Sequence, residues 1–233
     1  MKIAIIPARG GSKRIPRKNI KEFRGKPMIA WSIDAALASG CFDVVLVSTD
    51  DEEIAEIARN YGAAVPFLRP PELSDDFTPT IPVLRNAVAE YEKYSGKRVN
   101  FGCCIYATAP FVSAEKLKEG IAFLESDGDL DFAFSVTSFP FPIQRALKLG
   151  DDGRVSMFQP EHELSRSQDL RESYHDAGQF YWFRPSSLEG RGGFFSARAR
   201  PVVLPREEAQ DIDTPEDWQC AELIHEILER RRS

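Results

Sequence analysis

Short apolar runs rich in valine, isoleucine and phenylalanine alternate along this chain with amphipathic stretches, the pattern of strand and helix units around a buried, largely parallel sheet. The runs predict strands at residues 2–7, 43–48, 64–68, 101–106, 131–137, 178–183 and 201–204. Helices fill the gaps. Pro27 suits a first helical position and Gly40 a terminus around "MIAWSIDAALAS"; Asp50 or Thr49 can cap "DEEIAEIARNY", which Gly62 ends. Thr78-Pro79 and Ser113 open helices near residues 79–94 and 114–125. Thr214, Pro215 and Asp217 make a capping-box start for a last one. The fold class is therefore α/β, a mostly parallel central sheet flanked by helices.

One stretch breaks the rhythm. Residues 138–177 combine three prolines, a "GDDG" turn and aromatic side chains with no helical period. Aromatics without a core of their own need a surface to bury against, so this segment is expected to be a flap or a subunit contact. With 233 residues and 42% hydrophobic content, the chain suits a single domain over 1–233 in which 138–177 is an insert.

Charge sharpens the picture. Residues 5–27, "IIPARGGSKRIPRKNIKEFRGKP", hold eight of the 30 lysines and arginines but one of the 36 acidic residues, inside a chain of net charge −6. The remainder, 22 basic against 35 acidic, is strongly acidic. So local a positive charge argues against a protein that coats nucleic acid or membrane with a broad basic face. Residues 1–6 are too short an apolar run for a signal peptide, and no stretch approaches the roughly 20 residues of a membrane span. A cytoplasmic location is expected. Cys41, Cys103, Cys104 and Cys220 show no C-x-x-C spacing and read as reduced, structural thiols.

Two constellations carry chemistry. Strand 2–7 runs into Gly10-Gly11, where the backbone can turn and offer N–H groups to an anion, and Arg9, Lys13, Arg14, Arg17 and Lys18 surround that turn. A triphosphate would balance such charge, and the carboxyl end of a first strand is where open α/β sheets bind ligands. "GGSKRI" is neither G-x-G-x-x-G nor G-x-x-x-x-G-K-[ST], and no G-x-S-x-G elbow occurs, which disfavours dinucleotide enzymes, P-loop ATPases and serine hydrolases. The second is "AQDIDTPEDW", residues 209–218. In extended chain Asp211 and Asp213 project to one face, and two converging carboxylates repel unless a cation such as Mg²⁺ lies between them. Asp217 is assigned to capping.

Together "PARGGSKRIPRKNI", "GKPMIAWSI", "VSTDD", "LRPPEL" and "QDIDTPED" resemble the cytidylyltransferases that activate nonulosonic acids, the CMP-sialic acid synthetase family, over nearly the whole chain. The resemblance implies a Rossmann-like nucleotide-diphospho-sugar transferase fold and a homodimer whose protruding segment, here 138–177, completes the neighbour's site. It also implies Mg²⁺-dependent joining of CTP to a keto sugar acid with release of pyrophosphate. Matched by position, Ala8, Arg9, Gly10 and Gly11 fall on the nucleotide cradle, Lys18 and Asn19 on a paired Lys-Asn, Arg69 on an arginine near the nucleotide, and Asp211 and Asp213 on the metal-binding aspartates. Arg9 and Lys18 would stabilise charge passing to pyrophosphate. For the base, Asp211 and the metal's own shell stand as alternatives.

Two departures bear on the sugar. Sialic acid enzymes usually carry "QPTSP" where this chain has "YATAP", residues 106–110, and "PNGAIY" where it has "HDAGQFYWF", residues 175–183. Those stretches, with "SKRIPRKN" and "SRSQDL", look instead like the pseudaminic acid cytidylyltransferases, with CMP-N-acetylneuraminate or CMP-legionaminate synthesis as alternatives. Tyr106, Arg145, Asp169, His175 and Gln179 are the expected sugar anchors; His175 could equally be satisfied by Asp176, and His162 and His225 read as surface or packing residues. Two rivals of other classes are a metal-dependent glycosyltransferase, reading Asp211-Ile212-Asp213 as its DxD, and an RNA-binding module using residues 9–26, where Phe23 is the lone aromatic for base stacking.

Overall fold

The computed structural model describes residues 1–189 and 193–232, with only the backbone of Arg232. In chain order it contains β1 (Lys2–Pro7), β2 (Glu22–Phe23), β3 (Lys26–Pro27), α1 (Met28–Ser39), β4 (Val44–Ser48), α2 (Glu52–Asn60), α3 (Thr80–Ser95), β5 (Phe101–Ile105), α4 (Ala114–Ser126), β6 (Phe132–Ser138), β7 (Leu147–Leu149), β8 (Val155–Met157), β9 (Tyr174–Phe183), β10 (Ala199–Leu204) and α5 (Pro215–Arg232). The central sheet has the order β10-β6-β9-β5-β1-β4. β9 runs antiparallel to both neighbours, and the other pairings are parallel.

Each strand face is covered. Ile29, Ile33, Leu117 and Trp182 belong to one buried cluster, and Leu84, Ala87, Tyr181 and Phe183 to another. Cys103 and Cys104 fall one into each, as alternation along a strand requires, and burial pushes both thiols up. A third cluster joins Ile15 and Phe23 to Trp218 and Ala221, so α5 clamps the basic loop from outside. Between β2 and β3 the turn residues Arg24 and Gly25 have φ of 50° and 86°. Positive φ at both centres makes the tight two-residue hairpin that glycine permits at the second.

Three expectations are corrected. Residues 64–68 form no strand: Ala64 makes one parallel bridge to Leu46, and Pro66, lacking an N–H, cannot extend the ladder. The cap of α2 is Asp51, whose side chain accepts from Ile54 N, rather than Asp50 or Thr49. Pro27 precedes α1 with ψ of 140°, outside the helix. Ser113 and the Thr214/Asp217 box cap as expected.

The inserted segment is shorter at its roots than 138–177. Ser138 pairs with Tyr174 and Thr137 with His175, so both ends belong to the central sheet. From that ladder an arm projects, built on the β7–β8 hairpin and short 3₁₀ turns. Its apolar residues face outward: Leu164 is 95% exposed, Phe141 79% and Leu149 72%.

Candidate active site

After Pro7 the chain crosses the carboxyl ends of β1 and β4. Gly10 is required there by proximity, since a Cβ would lie 2.6 Å from an Asp51 carboxylate oxygen. Its N–H donates to Asp50 Oδ1 at 3.1 Å and so is already engaged. Ala8 is core, with its N–H donating to Ser48 O at 2.9 Å. Of the expected cradle, the N–H groups of Ala8 and Gly10 are thus engaged within the protein, while Gly11 is exposed at the tip of the loop.

The eight cations divide. Arg9 and Lys13 both hold Asp76. Arg14 and Lys18 both hold Asp213, at 2.9 and 3.2 Å, and Lys18 Nζ donates to Ile212 O at 2.7 Å. The other four fasten the loop. Arg17 forks onto Asp51 at 2.5 and 3.0 Å and reaches Glu53, away from the walls of the crevice. Lys21 lies over the Trp218 ring, Lys26 over Trp31, and Arg24 bonds Glu226 and Glu229 on α5. Asn19 braces the turn by donating to Arg9 O at 2.9 Å.

Arg9, Arg14, Lys18, Asn19, Arg69 and Asp213 line a cavity of about 350 Å³. Arg69 is buried; its Nε donates to Ser74 Oγ at 3.1 Å, while Nη2 lies 3.7 Å from Asp50 and has no hydrogen-bond partner. Burial lowers its pKa, opposed by the Asp50 charge. A buried guanidinium nitrogen left open favours an incoming acceptor. A second cavity, about 410 Å³, adjoins the first and shares Tyr106 and Thr108 with it; His175, Asp176, Tyr181 and Asp211 are among its walls. Asp211 and Asp213 therefore sit one on each side of the junction, with Ile212 between them buried against the α5 cluster. Burial and then the charge of Asp213 raise the pKa of Asp211. A larger hollow of about 810 Å³ lies at the opposite end of the sheet, but its Arg85 and Arg184 are consumed by the carbonyls of Leu188 and Leu130 at 2.6 and 2.9 Å.

The sequence profile of the family described as Cytidylyltransferase matches residues 3–187. A pseudaminic acid cytidylyltransferase of Campylobacter jejuni is 44% identical over 226 residues, 97% of this chain and 96% of that one. The chain belongs to the cytidylyltransferase family. A CMP-N,N'-diacetyllegionaminic acid synthase of Legionella pneumophila is 31% identical, covering 97% of this chain and 96% of its own length. In fold, a CMP:2-keto-3-deoxy-manno-octonic acid synthetase complexed with CTP superimposes with a TM-score of 0.69 at 16% identity, over 99% of both chains. The nucleotide-sugar transferase architecture expected from the sequence is borne out.

Within this cytidylyltransferase the expected sugar anchors separate. Tyr106 and His175 line the second cavity. His175 Nδ1 donates to the Asp176 carbonyl at 2.9 Å, and its ring packs edge-on against Phe139. Gln179 does not reach the cavity: it is 2% exposed, and its amide donates to Glu208 O, tying β9 to the loop before Asp211. Arg145 and Asp169 lie on the arm, where Arg145 approaches Ser167 at 3.5 Å and Asp169 pairs with Arg166 at 2.7 Å; neither lines either cavity. Sequence reasoning passed over Asp50, which holds the loop and faces Arg69, and Asp76. It also passed over Asp176 and Tyr181. A carboxylate at the carboxyl end of β4 was the available signal for Asp50; Asp76 and Asp176 enter the site only through tertiary contacts.

Proposed function

We propose that this cytidylyltransferase joins CTP to a nonulosonic acid, preferentially pseudaminic acid, to give the CMP-sugar and pyrophosphate. The observation that carries this is the junction: a cation-lined cavity and a sugar-sized one meet at Tyr106 and Thr108, with one aspartate on each side. The names of the Campylobacter and Legionella relatives support the sugar class. A glycosyltransferase or an RNA-binding module accounts for neither the family match nor the four loop cations already engaged by other parts of the protein.

In this reading the triphosphate lies against Arg9, Lys13, Arg14 and Lys18, displacing Asp76 from Arg9 and Lys13. Arg69 takes an acceptor on the nucleotide. The sugar's anomeric oxygen attacks the α-phosphorus, the bond to the pyrophosphate oxygen breaks, and the hydroxyl proton passes to Asp211, the carboxylate on the sugar side of the junction. Arg9 and Lys18 meet the charge that develops on pyrophosphate. The donor set at Asp211 and Asp213 fits Mg²⁺, hard oxygens beside the phosphate cavity, and among the described residues no larger cluster of metal-ligating groups converges. Bound there, Mg²⁺ would neutralise phosphate charge.

The second cavity carries two carboxylates, Asp176 and Asp211, and no lysine or arginine among its described walls. A sugar acid needs a cation for its own carboxylate. We read the outward apolar face of the arm as the contact of a homodimer in which a neighbouring copy supplies it. No described helix is long and apolar enough to cross a membrane, and a cytoplasmic setting matches the CTP requirement. The test is direct: purified protein with Mg²⁺, a nucleotide and a sugar acid, read by pyrophosphate release. CTP with pseudaminic acid should give rapid release, with ATP or GTP refused and N-acetylneuraminate far slower. Equal turnover of all four nucleotides, or of all sugars, overturns the assignment.

A further inference from the structure

The wall of the sugar-side cavity contains a carboxylate that the mechanism above does not use. Asp176 enters it through an irregularity in the sheet. Register between β6 and β9 passes from Phe134 opposite Tyr181 to Val136 opposite Asp176, so β9 carries extra residues there. Gly178 takes a φ of 62° inside that bulge, and Ser135 Oγ accepts from the N–H groups of Gln179 and Phe180 at 3.3 and 3.2 Å. As a result Asp176 and Tyr181, five positions apart, reach the same cavity.

Two contacts hold the carboxylate still. Tyr181 Oη donates to Oδ2 at 2.6 Å and Gly178 N donates to Oδ1 at 3.0 Å. An ionised carboxyl offers about four acceptor sites, so capacity remains on both oxygens. Among the described residues no lysine or arginine forms an ion pair with Asp176. Apolar and aromatic surface, Ala177, Ala209 and the Tyr106 ring tilted against Tyr181 with centroids 5.4 Å apart, shares the cavity with the polar walls Thr108, His175, Gln210 and Asp211.

A fixed negative acceptor beside apolar wall selects its ligand. It repels the sugar's carboxylate and the phosphates, and so requires a neutral donor. An acylamino group provides one, with its N–H for the carboxylate and its methyl for the wall; a hydroxyl would leave the apolar surface unused. We propose that Asp176 is a specificity-determining residue that accepts a hydrogen bond from an acylamino N–H of the sugar, held in position by Tyr181 and the Gly178 bulge. This rests on the reading that the cavity takes a nonulosonic acid.

The experiment uses the full-length protein with CTP, Mg²⁺ and pseudaminic acid, together with analogues in which each acylamino nitrogen in turn is methylated or replaced by hydroxyl. Asp176→Asn should lower kcat/KM for pseudaminic acid roughly 10- to 100-fold, the range for one hydrogen bond to a charged acceptor, while KM for CTP and the thermal midpoint stay at wild-type values. Tyr181→Phe, which loosens the carboxylate without removing it, should cost less. One N-methyl analogue should be poor for wild type and lose nothing further in Asp176→Asn, a coupling that a merely structural role for Asp176 would not produce. Equal costs of methylation in both proteins overturn the proposal, as does a change of less than about threefold in Asp176→Asn. If the hydroxyl analogue keeps its full dependence on Asp176, the acylamino assignment is wrong. Absence of turnover with every nonulosonic acid overturns this inference along with the reading it rests on.

Discussion

The crevice and the arm are opposite solutions to the cost of exposing side chains. In the crevice nearly every charge already meets another: Arg9 and Lys13 on Asp76, Arg14 and Lys18 on Asp213, Gly10 N–H on Asp50. The arm turns Phe141, Leu147, Leu149 and Leu164 to solvent and carries short strands that pair only with each other. A single chain thus prepares a nucleotide pocket whose internal anions hold its cations in place, whereas the arm has no core within that chain. The difference teaches where the proposed assembly would enter the reaction: on the sugar side, where two of the chain's own walls are carboxylates.

The sharpest break in that contrast is at the junction. Asp211→Asn and Asp213→Asn should each lower kcat by about three orders of magnitude or more, without rescue by excess CTP, because each removes a carboxylate facing the reacting phosphate. Neither opens a cavity. Relief of repulsion at Asp211 should leave the thermal midpoint unchanged or slightly raised. A variant with near wild-type turnover at saturating magnesium would return these residues to helix-entry roles.

Next in size is the arm. Phe141→Glu combined with Leu149→Glu changes exposed positions, so the fold should persist by circular dichroism. Light scattering should show a dimer become a monomer, with sugar turnover falling more than about tenfold and CTP binding retained. A wild-type protein that is monomeric and fully active contradicts the assembly.

A smaller effect is expected at the cap of α2. Asp51 accepts from Ile54 N and from Arg17, and Arg17 foremost holds its carboxyl at about 2, below the ordinary 3.8. A depressed carboxyl contributes stability that is complete above its ordinary value and is lost as pH falls from about 4 toward 2. Asp51→Ala should cost about 1 kcal/mol at neutral pH by chemical denaturation. Asp51→Asn, which still caps, should mainly flatten the pH dependence in that acid window.

The least effect concerns Asp76. If it only holds Arg9 and Lys13 until phosphate arrives, Asp76→Ala should lower KM for CTP by about two- to fivefold at low salt, and the gain should fade as ionic strength rises. A higher KM would instead make Asp76 part of the nucleotide site.

Local chemistry is what the sequence alone determined. Strand and helix order followed from hydrophobic period, the last helix from Thr214 and Asp217 bonding each other three residues apart, and the site's location from a basic loop after the first strand. Such signals act over a few residues and survive any tertiary context. Which cations face a ligand could not be read that way, because the partners that claim Arg17, Lys21 and Arg24 lie at Asp51, Trp218 and Glu226, far along the chain. Nor could the choice between Gln179 and Asp176 as a cavity wall. Alternation in a regular strand places Gln179 on the face of Tyr181 and Asp176 on the other. The bulge at Gly178 breaks that alternation, turning the amide inward to Glu208 and the carboxylate into the cavity.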